Sequence, residues 1–326
     1  MDFSVLLQDI PTLLVVILGV PAVLAAYIVG GEYLVRRLPD KNRPQVRPWI
    51  WVGPALILVA AYLLLPAIGT IVQSFENNEG VVVGFNNYAS QFADFPNGGA
   101  WVAIRNNIIF WLIFYTLFAL AFGLILAVLF DRVRYESFVK SLIFMPMAIS
   151  SVALGLIWDF MYTYQPPGAV QTGTLNAIVT FFRHDPVVWL HDTWPSDSFN
   201  VLNNLALIGA ATWGITGFAM VILSAALKGI PGELTVFRRV IFPLMMPTIV
   251  VVGTTLVIFA LKAFDVVYVM TGGNYGTDVL AYRMYNQLYT AGNNGRASAV
   301  AVILLIAVIP VLIFNLRQFR AVEARR

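Results

Sequence analysis

The sequence predicts an all-α polytopic membrane protein of seven spans, with its N-terminus outside and its C-terminus inside. Three observations carry this. The 326 residues are 59% hydrophobic and only 11% charged, with a mean hydropathy of +0.79, whereas a soluble domain carries about 25% charged residues. Seven segments reach the length of about 20 mostly apolar residues that crosses a bilayer. The basic residues fall in alternate connections, the pattern that orients membrane helices.

In chain order the apolar segments are 12–35, 50–73, 106–130, 141–163, 202–227, 242–269 and 298–316. The connection 36–47 holds five Lys and Arg, 131–140 holds three, 228–239 holds three and the tail after Leu316 holds four. These face the cytoplasm by the positive-inside rule. The first run has nothing basic before it and a basic stop-transfer cluster after it. It therefore reads as an extra span and not as a cleaved leader. The other connections, 75–105, 164–201 and 271–297, are long, aromatic and rich in turn residues. They either cover the span ends or meet an external partner.

The stretch 225–247, AALKGIPGELTVFRRVIFPLMMP, is a short polar interruption between two long apolar runs. Lys228, Glu233, Arg238 and Arg239 give it charge, and Pro231, Pro243 and Pro247 punctuate it. A basic turn between two spans on the cytoplasmic side suits a docking surface for a partner that moves both spans.

Enzymatic chemistry has little to work with. There is no cysteine, so no disulfide, thiolate metal site or Cys nucleophile exists. His184 and His191 lie seven apart in a polar connection, too few and too far apart for a metal site. No nucleophile elbow, zinc-protease motif or phosphate-cradling glycine loop occurs. Any ATP site therefore belongs to another subunit.

Polar groups inside a span are costly and call for a reason. Lys262 and Asp265 lie in LKAFDVVYV of the sixth apolar segment. Three apart on a continuous helix, they face one another. Two roles fit: a structural ion pair near the outer end, with Lys262 snorkelling, or a polar lining for a solute path. Trp213, Phe218, Phe264 and Tyr268 on the fifth and sixth segments supply ring faces of the kind that stack on sugars, or pack the spans.

At these residues the chain resembles the permease subunits of binding-protein-dependent ABC importers of the carbohydrate, maltose and alpha-glucoside, type. The resemblance rests on TWGITGFAMVILSAALKGIPGEL (212–234), FRRVIFPLMMP (237–247) and FDVVYVMTGGNYGTDVLAYRMYNQ (264–287). GFNNY (84–88), RNNIIF (105–110) and the segment 144–158 support it, and it covers roughly 48–320. It implies a six-span type I ABC importer core over 48–326, preceded by an extra N-terminal helix and basic loop over 1–47. It implies an inner (plasma) membrane location. The substrate-facing residues would be Trp213, Phe218, Lys262, Phe264 and Asp265. Gly229, Pro231, Glu233, Phe237, Arg238, Arg239 and Pro243 would border the ATPase contact.

One feature departs from the family pattern. Family members place a glutamate, two small residues and an Asp-Gly pair between the GIP-EL and FxxVxxP elements. Here Leu234 is followed by Thr235 and Val236 and then directly by Phe237. By the resemblance, about a dozen residues would be missing between the flanks, from a short helix that in the family seats in the ATPase subunit. Either a natural segment is omitted, which the intact flanks favour, or a chain of this sequence couples poorly to its ATPase.

The resemblance further implies a second related permease, two ATP-binding subunits that hold ATP and Mg, and a periplasmic or extracellular solute-binding protein. The cargo would be a sugar of the alpha-glucoside or oligosaccharide class. This chain would hold no cofactor or metal of its own, act as a transport subunit and not as an enzyme, and bind no nucleic acid. The alternatives are a secondary transporter, a permease for another solute such as glycerol phosphate or an amino acid, and a non-transporting scaffold.

Overall fold

The computed structural model describes residues 15–131, 133–192, 199–230 and 241–323. Among them, helices dominate and no strand longer than one bridge, Glu76 to Val82, forms. Six helices are long and apolar enough to cross a membrane, or seven if one bent pair counts as a span. The protein is therefore a multi-pass membrane protein. Its residues form two compact units, 1–69 and 70–326.

In the first unit, α1 (Val20–Arg36) completes the candidate span Ile17–Arg36, and α2 (Arg43–Gln73) leaves the unit as the next candidate span. The turn between them is closed by charge. Glu32 accepts from Arg47 Nε at 3.2 Å, and Arg43 Nη2 donates to the Arg36 carbonyl at 2.7 Å.

The second unit holds α3 (Asn86–Gln91), α4 (Gly99–Leu129), α5 (Glu136–Phe144) and α6 (Ser151–Tyr162). After them come α7 (Thr174–Phe181), α8 (Val201–Lys228), α9 (Phe242–Leu261) and α10 (Asp265–Met270). Last are α11 (Leu280–Tyr285), extended by Asn286–Thr290, and α12 (Asn294–Glu323).

The core sits around α8, whose small residues let neighbours approach closely, as membrane helices require in place of a hydrophobic drive. A Cβ on Gly123 of α4 would lie 2.5 Å from the Ala219 Cβ. One on Gly217 would meet the Ile143 carbonyl oxygen at 2.5 Å, and one on Gly214 would meet Leu154 at 2.4 Å. Phe110, Leu207 and Ile208 fill the packing along the N-terminal half of α8, and Met220, Leu223, Met245 and Leu256 that along its C-terminal half.

Two expected spans are broken. Segment 141–163 is the pair α5 and α6, bent by 100°. Pro146 lies in a tight turn ending α5, and Ser150 caps α6 by accepting from the Ala153 amide at 3.2 Å. Segment 242–269 stops at Leu261 and restarts at Asp265, with Phe264 at φ −146°, ψ −61° between them. Lys262 and Asp265 therefore do not share a continuous helix, and no ion pair joins them. The Lys262 amide closes the end of α9 on the Ile258 and Phe259 carbonyls, at 3.3 and 3.1 Å. Its cation stands at a helix C-terminus and the Asp265 anion at a helix N-terminus, where each complements the open backbone groups.

Near the N-terminus of α8, paired asparagines clamp the TGGNYG turn and the residues just after it. Asn106 Nδ2 donates to the carbonyls of Gly276 and Asp278, at 2.7 and 2.9 Å. Asn204 donates to Gly276 at 3.0 Å and Asn203 to Tyr275 at 3.1 Å. Asn107 accepts from the Leu280 amide at 2.9 Å. Asn106, Asn203 and Asn204 are fully buried, so these bonds satisfy turn carbonyls that water does not reach.

Candidate functional site

The break between α9 and α10 opens one side of a cavity of about 350 Å³. Trp111 and Tyr115 of α4 form one wall, and the α5–α6 bend forms another through Pro146 and Ile149. Gly214 and Ile215 of α8 lie behind it, while Lys262, Phe264 and Asp265 contribute its charge and a ring. Each wall follows from a local rule. The bend comes from Pro146 and the Ser150 cap, the broken end of α9 from Lys262 and Asp265, and the depth beside α8 from a glycine.

Lys262 is exposed, and Phe264 and Asp265 are half-buried. An ammonium supplies three donors and a carboxylate only acceptors. The Ser151 hydroxyl on the rim does both. Trp111 and Phe264 add aromatic surface. A few polar groups within a largely apolar wall is the usual make-up of a site for a small organic solute. No cluster of three metal-ligating His, Cys, Asp or Glu occurs among the described residues.

Of the five substrate-facing residues expected from sequence, the structure gathers Lys262, Phe264 and Asp265 at this cavity and leaves two elsewhere. Trp213 is 39% exposed and lines two further apolar pockets with Phe122, one of about 570 Å³ that shares Pro146 and Ile149 of the α5–α6 bend with the cavity. Its ring lies edge-on to Trp158 at 5.8 Å. Phe218 packs edge-on against Phe259 at 6.3 Å, one layer behind the cavity wall. Both sit on α8 but point to faces other than the cavity. Trp111, Tyr115 and Ser151 were not singled out from sequence, because they come from elements that only the folded chain brings together.

At the C-terminal end of α8, Lys228 donates to Glu136 Oε1 at 2.7 Å, and Lys140 bridges the same carboxylate and the Ser224 hydroxyl. This ties the start of α5 to the end of α8, where the connection expected to dock a partner begins. Gly229 ends α8 there, its amide donating to the Ala225 and Ala226 carbonyls at 3.3 and 3.2 Å, and Pro243 opens α9. Pro231, Glu233, Phe237, Arg238 and Arg239 lie outside the described residues, as does the junction after Leu234.

No protein-family model matches the chain. The osmoprotective compounds uptake permease protein GgtC of Synechocystis is 45% identical over 290 residues, 85% of this chain and 100% of the relative. The alpha-glucoside transport system permease protein AglF of Rhizobium meliloti is 39% identical over 302 residues, 88% of this chain and 86% of the relative. A crystal structure of a bacterial ABC transporter involved in the import of the acidic polysaccharide alginate matches with a TM-score of 0.69 at 19% identity. The match covers 86% of this chain and 98% of that one, a likeness of fold.

Proposed function

Because the chain belongs to the permease subunits of carbohydrate-type ABC importers, we propose that it forms half of an ATP-driven import path for a sugar of the alpha-glucoside or oligosaccharide class. It is an inner-membrane transport component. The observation that carries the substrate class is the cavity at the broken sixth span, with the Lys262 ammonium, the Asp265 carboxylate and the Phe264 ring on one edge. Lys262 would donate to sugar hydroxyls and Asp265 would accept from them. Phe264 would stack on a pyranose face. The AglF relative names an alpha-glucoside, which supports the class.

The partners in this reading are a second, related permease, two ATP-binding subunits that hold ATP and Mg, and an external solute-binding protein. A structural neighbour was crystallised with a periplasmic protein carrying an alginate pentasaccharide, which supports the last. The ATPases would act on the 228–243 connection, with Gly229, Glu233, Arg238 and Arg239 beside their contact. Segment 1–47 would add one helix with its N-terminus outside and a basic cytoplasmic loop ahead of the permease domain 48–326.

One observation favours a second cargo: the Synechocystis relative is named for osmoprotective compounds. A small neutral glucoside accumulated against osmotic stress satisfies both names. The test is ATP-dependent uptake by the reconstituted complex of radiolabelled maltose, trehalose and sucrose, in competition with glycine betaine and glycerol 3-phosphate. Uptake blocked by the sugars alone supports the glycoside reading. Uptake of either competitor in their place refutes it.

A further inference from the structure

We propose that a row of five aromatic rings, running from Phe264 at the cavity to the exposed Tyr289, is a track for the pyranose rings of the incoming glycoside. This rests on the sugar-importer reading above. Tyr282, Tyr285 and Tyr289 recur at i, i+3 and i+7 along α11 and its extension, the spacing of one helix face. Phe264 and Tyr268 come to them from the other side of the TGGNYG turn.

The rings form a continuous chain. Phe264 stacks on Tyr268 at 5.3 Å with 15° between planes. Tyr285 lies 5.4 Å from Phe264 and 5.2 Å from Tyr268, and Tyr289 follows at 4.8 Å. Tyr282 closes the group, 6.4 Å from Phe264 and 6.3 Å from Tyr285. One end, Phe264, lines the cavity. The other, Tyr289, is 70% exposed, and Tyr268 between them is 42% exposed.

The turn is shaped to hold this row. Gly273 has φ +68°, and a Cβ there would lie 2.5 Å from the Tyr282 ring. Any side chain would push Tyr282 out of line.

Aromatic rings repay burial more than most side chains, so a contiguous row with Tyr268 and Tyr289 exposed and Phe264, Tyr282 and Tyr285 only half-buried marks a binding surface. Four of the five rings carry a hydroxyl. An apolar face with a polar rim matches a sugar ring, which has the same two-sided character. Aromatic belts at a membrane surface also use tyrosine, but belt residues have no reason to converge on a cavity.

The test uses the full complex with its binding protein. The chain has no cysteine, so Thr290→Cys, beside Tyr289 and exposed, reports on the outer end with all five rings intact. Saturating maltose, trehalose or sucrose, whichever is imported, should slow its labelling by a membrane-impermeant maleimide severalfold. Tyr285→Ala should lower uptake at subsaturating sugar by about 2- to 12-fold, the value of one aromatic contact, and Tyr285→Phe should restore it. Labelling unaffected by sugar, with Tyr285→Ala transporting normally, overturns the track while leaving the importer reading intact. Labelling blocked without sugar, and released when the second permease is omitted, makes the face a subunit interface and also overturns it. A wild-type complex that imports none of the sugars refutes the importer reading itself.

Discussion

Replacing Asp265 with alanine should cut sugar uptake and leave the assembled complex intact. Asp265 lines the cavity, is half-buried and forms no ion pair with Lys262. Its removal therefore leaves no buried cation unpaired, the usual cause of a large stability loss. In the proposed site, what would be lost is a hydrogen bond from a neutral sugar hydroxyl to a charged acceptor. Such bonds contribute about 1.5–3 kcal/mol, which corresponds to roughly 10- to 150-fold in affinity. Lys262→Ala should act in the same direction with a smaller effect, because Lys262 is more exposed. The assay is initial-rate uptake at subsaturating sugar, with co-purification of the partner subunits as the control for assembly. Wild-type uptake by both variants would assign the two charges to the helix ends alone and refute their role in binding. Loss of co-purification would show that they hold the fold.

Three further outcomes follow from the geometry. Gly217→Ala should lower the thermal stability of the complex by about 1–3 kcal/mol, the usual cost of overpacking, because its Cβ would meet the Ile143 carbonyl and the Phe144 Cα at 2.5 and 2.6 Å; an unchanged melting temperature would contradict the close packing. Asp278 is held mainly by burial at a pKa raised to about 6, against the opposing pull of Arg283 3.1 Å away. A raised carboxyl pKa means that the fold binds the proton more tightly than the unfolded chain, so this contribution is complete below pH 3.8 and lost as pH rises through about 6. Asp278→Asn should therefore flatten the fall in stability over that window, and an identical pH profile would refute the assignment. Finally, stimulation of the partner ATPases by loaded binding protein should be weak with the present 228–243 connection and rise severalfold when a family coupling helix is inserted between Leu234 and Phe237; full stimulation without the insertion would show that no coupling element is missing.

That the chain is a helical, multi-pass membrane protein was legible because bilayer thickness imposes a length that hydropathy reports directly. Candidate spans Ile17–Arg36, Val201–Lys228 and Asn294–Phe314 overlap the apolar runs with shifts of a few residues. The two broken spans were not legible, because a window of 20 residues averages over a break of two or three. The Lys262 and Asp265 spacing is the same for a pair on one helix as for the stop of one helix and the start of the next. Only the backbone at Phe264 separates the two readings. The site was partly legible. Lys262 and Asp265 stood out because charge inside an apolar run is conspicuous, and Phe264 as a ring beside them; all three line the cavity. Trp213 and Phe218 were placed on the correct helix but not on the face that meets the cavity, since α8 is apolar nearly all round and its sequence marks no single inward stripe. The tyrosine row had a signal in the spacing of 282, 285 and 289. The asparagine clamps had one in the repeated Asn-Asn pairs, whose partners are backbone groups about 70 to 170 residues away in the chain.

The most direct measurement is accumulation of a radiolabelled alpha-glucoside in proteoliposomes, comparing this chain alone with its assembly with a second permease, two ATP-binding subunits and a loaded solute-binding protein. Accumulation should require the whole assembly and ATP, and should increase when the coupling helix is supplied. Uptake by this chain alone without ATP would contradict an ABC permease role and make it a self-powered transporter.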